Sequence, residues 1–137
     1  MDVIILSGDH IAHGVAPRYP NSSAADWESV EAHMETTYAL IKKHFPETLV
    51  LPSIGNNDGW HSQAPPEAQK TKFFEYAFDL WFTDYAPIAP HADSIKQTFL
   101  STGSYRVDVS DTLSVLVLNF EYMDDESNTS LYGNEAA

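Results

Sequence analysis

Val3-Ile4-Ile5-Leu6-Ser7-Gly8-Asp9 is an apolar run closed by a polar turn, and Leu49-Val50-Leu51-Pro52-Ser53-Ile54-Gly55-Asn56-Asn57-Asp58 repeats that pattern further along the chain. Continuous Val, Ile and Leu over four residues predicts a strand buried on both faces of a parallel sheet. Between the two runs, Trp27, Val30, Met34, Tyr38, Ile41 and Phe45 recur at spacings of three and four, which makes one apolar face of a helix. Lys42, Lys43 and His44 suit its last turn, where cations complement the helix dipole, and Pro46 stops it. Pro52 removes a ladder hydrogen bond unless it lies near the end of the second strand. Strand, helix, strand predicts a right-handed βαβ unit, which places the loops after both strands on one edge of the sheet. Asp9 and Asn56 are therefore expected to converge.

Beyond this unit, Pro65-Pro66-Glu67 reads as a helix start, and Phe74, Ala77, Phe78, Trp81 and Tyr85 give the helix a heavily aromatic face, read as core. A shorter helix over residues 92–100 ends at Gly103, a left-handed cap. Tyr105, Val107 and Val109 alternate with polar residues, Ser110-Asp111 turns the chain, and residues 113–118 form an apolar strand, so a scaffold hairpin is expected. From Asp124 onward the chain is acidic with little to bury, and residues 123–137 are expected to be a mobile tail. Residues 1–122 are expected to form a single domain, without repeats. The predicted class is α/β, a parallel βαβ core with a C-terminal β-hairpin.

Composition narrows the partners. The 137 residues fit one domain, and 20 acidic against 7 basic side chains give a formal charge of −13. With no basic cluster, neither nucleic acid nor an anionic membrane surface is expected to bind. A phosphate ester remains compatible with such a charge if bound cations supply the local positive field. The absence of cysteine removes disulfides, thiolate metal sites and Cys nucleophiles. No apolar stretch reaches the roughly 18 residues of a membrane span. Two sequons, at Asn21 and Asn128, carry little weight.

Two-metal phosphoester hydrolysis requires oxygen or imidazole ligands, one carboxylate able to bridge two cations, and a water held between them. Asp9 fits the bridge, and the neutral, directional carbonyl of Asn56 fits a further ligand on one metal. The leaving alkoxide needs a proton, which His13, four residues beyond Asp9, is placed to deliver. Each residue also has a plainer reading. Gly-Asp after a strand is often only a turn, and Asn56-Asn57-Asp58 could bond its own backbone. His10 and His61 read as solvated loop histidines, and His33 and His44 as helix-surface ones.

Leu6-Ser7-Gly8-Asp9 with His13, followed by Leu51 to Asp58 and Trp60-His61, resembles the calcineurin-like metallophosphoesterases, in the branch of acid sphingomyelinase-like phosphodiesterases and endopolyphosphatases. The resemblance extends to about Tyr122. It implies part of a metallophosphoesterase-type sandwich and two divalent metal ions (Zn, Mn or Fe), with Asp9 and Asn56 as ligands. It further implies His13 or His61 as the acid, Asp58 as an orienting catalytic group, and Asn57 and His61 as substrate-binding residues. Asn57 stands where the family commonly has histidine, and can donate a hydrogen bond but no proton; Gly-Asn-Asn-Asp points towards the endopolyphosphatase-like members. The implied substrate is a small phosphoester or polyphosphate, and the implied compartment lysosomal, vacuolar or secreted.

The family's upstream Asp-x-His and its downstream His and Gly-His-x-His motifs do not occur in this sequence. The chain is therefore expected to be a segment of a longer enzyme, with weak or no metal binding by itself. Edges left unpaired in such a segment are expected to favour homo-oligomers. The alternatives are an inactive phosphoesterase-like binding module and an SGNH-type esterase. The latter is opposed by His10 at the nucleophile position and by the overlap of Asp58 and His61 with the oxyanion block.

Overall fold

The computed structural model describes residues 3–12, 15, 24–59 and 67–121. Strand β1 (Val3–Leu6) is followed by helix α1 (Ala24–His44) and strand β2 (Leu49–Pro52), and β1 pairs with β2 in parallel, Val3 opposite Leu49 and Leu6 opposite Pro52. Pro52 thus occupies the last rung, where a missing N–H does least harm. The ladder continues one residue on, where the Ser53 amide and hydroxyl both donate to the Leu6 carbonyl, at 2.8 and 3.0 Å.

All four residues of β2 are buried, but β1 departs from the expected two-face burial. Ile5 is 63 % exposed. Successive side chains point to opposite faces, and among the described residues the face that carries Ile5 is left open, while β1 is also an edge strand with β2 its one neighbour.

Helix α1 buries Val30, Met34 and Tyr38, with Trp27 and Ile41 half-buried on the same face. Phe45, expected on that face, lies just past the helix and is exposed, because the chain turns away at Pro46. Helix α2 (Glu67–Phe78) does not carry the aromatic face through to Tyr85 as expected; it passes into a π-helical turn at Asp79–Thr83 and ends. The wider turn buries both Trp81 and Phe82, two consecutive residues that one face of an α-helix would separate. A short 3₁₀ turn at Ala89–His91 leads into helix α3 (Ala92–Thr102). It ends as expected at Gly103, which has a φ of 70° and donates its amide to the Phe99 carbonyl at 2.8 Å.

Strands β3 (Tyr105–Ser110) and β4 (Leu113–Val117) form the antiparallel hairpin, so the fold is mixed α/β with a parallel pair and a C-terminal hairpin. Ser110 pairs with Leu113, which moves the turn to Asp111-Thr112, and a bulge lies between Asp108 and Ser110. Tyr105 and Val107 face the core; Arg106, Asp108 and Ser114 join in an exposed polar cluster on the other side. Leu116, Leu118 and Phe120 continue that outer side and are exposed. The hairpin is fastened to the parallel unit by the buried Tyr105 hydroxyl, which donates to the Pro52 carbonyl at 2.7 Å. The expected tail at 123–137, and Tyr122, lie outside the described residues.

Phe99 is the hub of the core, with ring centroids 5.2 to 6.3 Å from Phe74, Phe78, Trp81, Phe82 and Tyr105. Such offset and edge contacts each add about 0.5–1.5 kcal/mol beyond area burial. Within this core the Tyr38 hydroxyl donates to the Trp81 carbonyl and Tyr105 to Pro52, and burial pushes both phenols well above the ordinary tyrosine range. A raised folded pKa means that the native state keeps protons the unfolded chain would release, so this stability is complete below about pH 10 and falls as the pH rises above it. Alkaline titration is therefore expected to show the tyrosinate absorbance of these residues together with loss of the near-ultraviolet circular dichroism signal. Ordinary phenol titration of every tyrosine with the fold intact would contradict this.

Candidate functional site

Two loops meet at the C-terminal ends of β1 and β2. Gly8, with φ 89°, turns the first loop out of the strand; a Cβ on it would lie 2.7 Å from the Gly55 Cα and 2.7 Å from the Gly55 nitrogen. A Cβ on Gly55 would overlap the Asp9 nitrogen and Oδ1. The loops thus touch backbone to backbone, a separation that only two glycines allow.

This contact places Asp9. Its backbone lies in the left-handed region at φ 55°, a conformation that Asp tolerates better than most residues, and its side chain is exposed. Oδ1 accepts the Asn57 amide hydrogen at 3.0 Å, so the carboxylate is oriented by the second loop. The expected convergence of the two loops is therefore direct contact.

Asn56 is half-buried beside it, and its amide nitrogen donates to Asn57 Oδ1 at 3.4 Å, a long bond that leaves the Asn56 carbonyl oxygen as an acceptor. Asn57 is 7 % exposed. Asp58 has no exposure: Oδ1 accepts the His10 amide at 2.6 Å and Oδ2 the Gly55 amide at 2.9 Å. Burial pushes its carboxyl above the usual carboxylate range, a push that the field of His10 and these two backbone bonds partly offset and that of Asp9 reinforces. Asp58 holds backbone of both loops at once, which places it behind Asp9 and Asn56, away from solvent. His13 and His61 lie outside the described residues, as does Trp60.

His10 corrects the expectation of a solvated histidine. Its side chain is 5 % exposed, Nε2 lies 2.9 Å from the Ser53 carbonyl and 3.9 Å from Asp58 Oδ2, and the ring lies 5.1 Å from that of Trp81. Its carbonyl accepts from Thr37 Oγ1 on α1 at 3.2 Å. Nothing local announced this, because every partner is distant in sequence. His33 and His44 are exposed on α1, as expected.

For a divalent cation the donor types fit: an oriented, exposed carboxylate and an amide carbonyl are hard oxygen ligands. Their number is small, and no cluster of three or more His, Cys, Asp or Glu able to hold a metal occurs among the described residues.

No family model and no solved structure matches the chain. Its similarities to curated proteins support a phosphodiesterase family. The chain is 27 % identical over 142 aligned positions, 99 % of its length, to sphingomyelin phosphodiesterase 1 of Caenorhabditis elegans. It is 28 % identical over 123 positions, 87 % of its length, to sphingomyelin phosphodiesterase A of Dictyostelium discoideum. With acid sphingomyelinase-like phosphodiesterase 3b of Mus musculus it shares 32 % identity over 80 positions, 58 % of its length. The chain spans less than a quarter of these relatives: 23, 18 and 16 % of their respective lengths.

Proposed function

We propose that the chain carries two of the ligand loops of a metal-dependent phosphodiesterase centre of the calcineurin-like type. The observation that carries this reading is the backbone contact of Gly8 with Gly55, which sets an exposed Asp9 carboxylate beside Asn56. Asp9 and Asn56 would hold divalent metal, which when bound supplies an activated water and Lewis-acid stabilisation of the phosphoryl oxygens. Asn57 orients Asp9 through its amide and Asn56 through its side chain, and a hydrogen bond to the substrate is assigned to it on the resemblance. Asp58 fixes both loops from behind. His13 is assigned the leaving-group proton and His61 a substrate contact, on the resemblance alone. A small phosphodiester is the substrate class that the names of the relatives favour; sphingomyelin is one such ester and polyphosphate a second candidate.

With two donors from this chain, metal affinity is expected to be weak, and the 137-residue chain is expected to hydrolyse bis-p-nitrophenyl phosphate negligibly with zinc or manganese present. Mn²⁺ titrated into the chain should first broaden the amide resonances of Asp9, Asn56 and Asn57, and Asp9→Ala should abolish that selectivity. In a longer protein that contains this segment, Asp9→Ala should lower kcat/KM on the same ester about a thousandfold, a loss of about 4 kcal/mol of transition-state stabilisation. Broadening spread over the acidic surface, with no preference for the two loops, would sink the assignment and leave a phosphoesterase-like binding module as the better reading.

A further inference from the structure

We infer that His10 is a positioning residue that clamps the two loops in the arrangement that aims Asp9 and Asn56; the functional meaning of the clamp rests on the metal-site reading above. Four contacts converge on this one residue. Its amide donates to Asp58 Oδ1, its ring lies 2.9 Å from the Ser53 carbonyl at the end of β2, and its carbonyl accepts from Thr37 on α1. Its ring also packs against Trp81, which the π-helical turn presents, and the Trp81 carbonyl in turn accepts the Tyr38 hydroxyl of α1. His10 therefore joins the first loop to β2, to the second loop, to α1 and to the π turn, and it does so next to Asp9 in the chain.

The chemistry assigns a tautomer as well as a place. A carbonyl oxygen can only accept, so the nitrogen facing Ser53 must carry hydrogen, and Nε2–H is the form that the site selects. The carboxylate of Asp58, 3.9 Å from the same nitrogen, favours hydrogen there too. A glutamine at this position can present an amide N–H at similar reach; alanine cannot, and it also empties the space over Trp81.

The test uses the full 137-residue chain without metal, so that failure of the metal-site reading, which shows in the Mn²⁺ titration, is separate from failure of the clamp. In the unmodified chain, long-range ¹H–¹⁵N correlation should show hydrogen on Nε2 of His10; an Nε2 without hydrogen would overturn the proposal. His10→Ala should speed hydrogen exchange at the Asn57 amide, the proton held by Asp9, by at least about tenfold, the scale of one lost hydrogen bond to a charged acceptor. His10→Gln, which restores the donor to the Ser53 carbonyl and fills part of the space over Trp81, should bring it back to within about threefold. Exchange at Val50 and Leu51 should stay near the unmodified rate in both variants. Unchanged exchange at Asn57 in His10→Ala, equal acceleration at Val50 and Leu51, or no rescue by glutamine would each show that His10 merely fills space.

Discussion

Gly55→Ala is expected to force the two loops apart and remove the site with little change to the aromatic core. The added methyl would occupy the position of the Asp9 nitrogen and Oδ1, with Asp9 Cγ only 3.0 Å away, and backbone gives far less than a side-chain tip. Overpacking of this kind costs about 1–3 kcal/mol, and separating the loops also breaks the bond from the Asn57 amide to the Asp9 carboxylate, worth roughly another 1.5–3 kcal/mol because the acceptor is charged. Denaturant unfolding should show an unfolding free energy lowered by that sum, read as a lower midpoint at unchanged slope, and the selective Mn²⁺ broadening at Asp9 and Asn56 should vanish. A variant with both the unfolding midpoint and the Mn²⁺ pattern of the parent chain would show that the loops do not touch as described.

Trp81→Ala is expected to have the second large effect, acting through the core. The side chain is almost wholly buried, packs on His10, Tyr38, Phe82 and Phe99, and leaves a cavity that rigid neighbours cannot fill. Large aromatic to alanine substitutions in such settings cost about 3–5 kcal/mol. Trp81→Phe retains much of the volume and should cost less than half as much, about 1–2 kcal/mol. The comparison of the two by denaturant unfolding is decisive: a loss below about 1 kcal/mol for alanine would mean that Trp81 does not anchor the junction of α1 and the π turn.

The βαβ unit was legible because each element carries its own period. Val3 to Leu6 and Leu49 to Leu51 are short apolar runs, Val30, Met34 and Tyr38 keep helical spacing, and Pro46 and Gly103 mark helix ends by backbone constraints that no tertiary context removes. The contact of the two loops followed from topology, since parallel neighbouring strands end on the same edge. What escaped depends on neighbours distant in sequence. The exposure of Ile5 reflects a sheet face left open among the described residues, which its own residue type does not encode. His10 becomes a buried clamp only because Ser53, Asp58 and Trp81 gather around it, at separations of 43, 48 and 71 residues along the chain. The turn at Asp79–Thr83 was hidden because a π-helical insertion leaves composition unchanged and alters only phase.

That phase has a consequence for how the chain tolerates length changes. An α-helix rotates each successive residue by about 100°, so one residue more or less swings everything on one side of the change round the axis. The π turn after α2 absorbs one such step, and with it Trp81 points towards His10 and Phe82 towards Tyr105. Deleting a single residue there would restore a regular helix and at the same time turn the two rings off their targets. The segment is therefore more sensitive to shortening than the loops around it, and the irregular turn works as the setting that keeps the core and the loop clamp in phase.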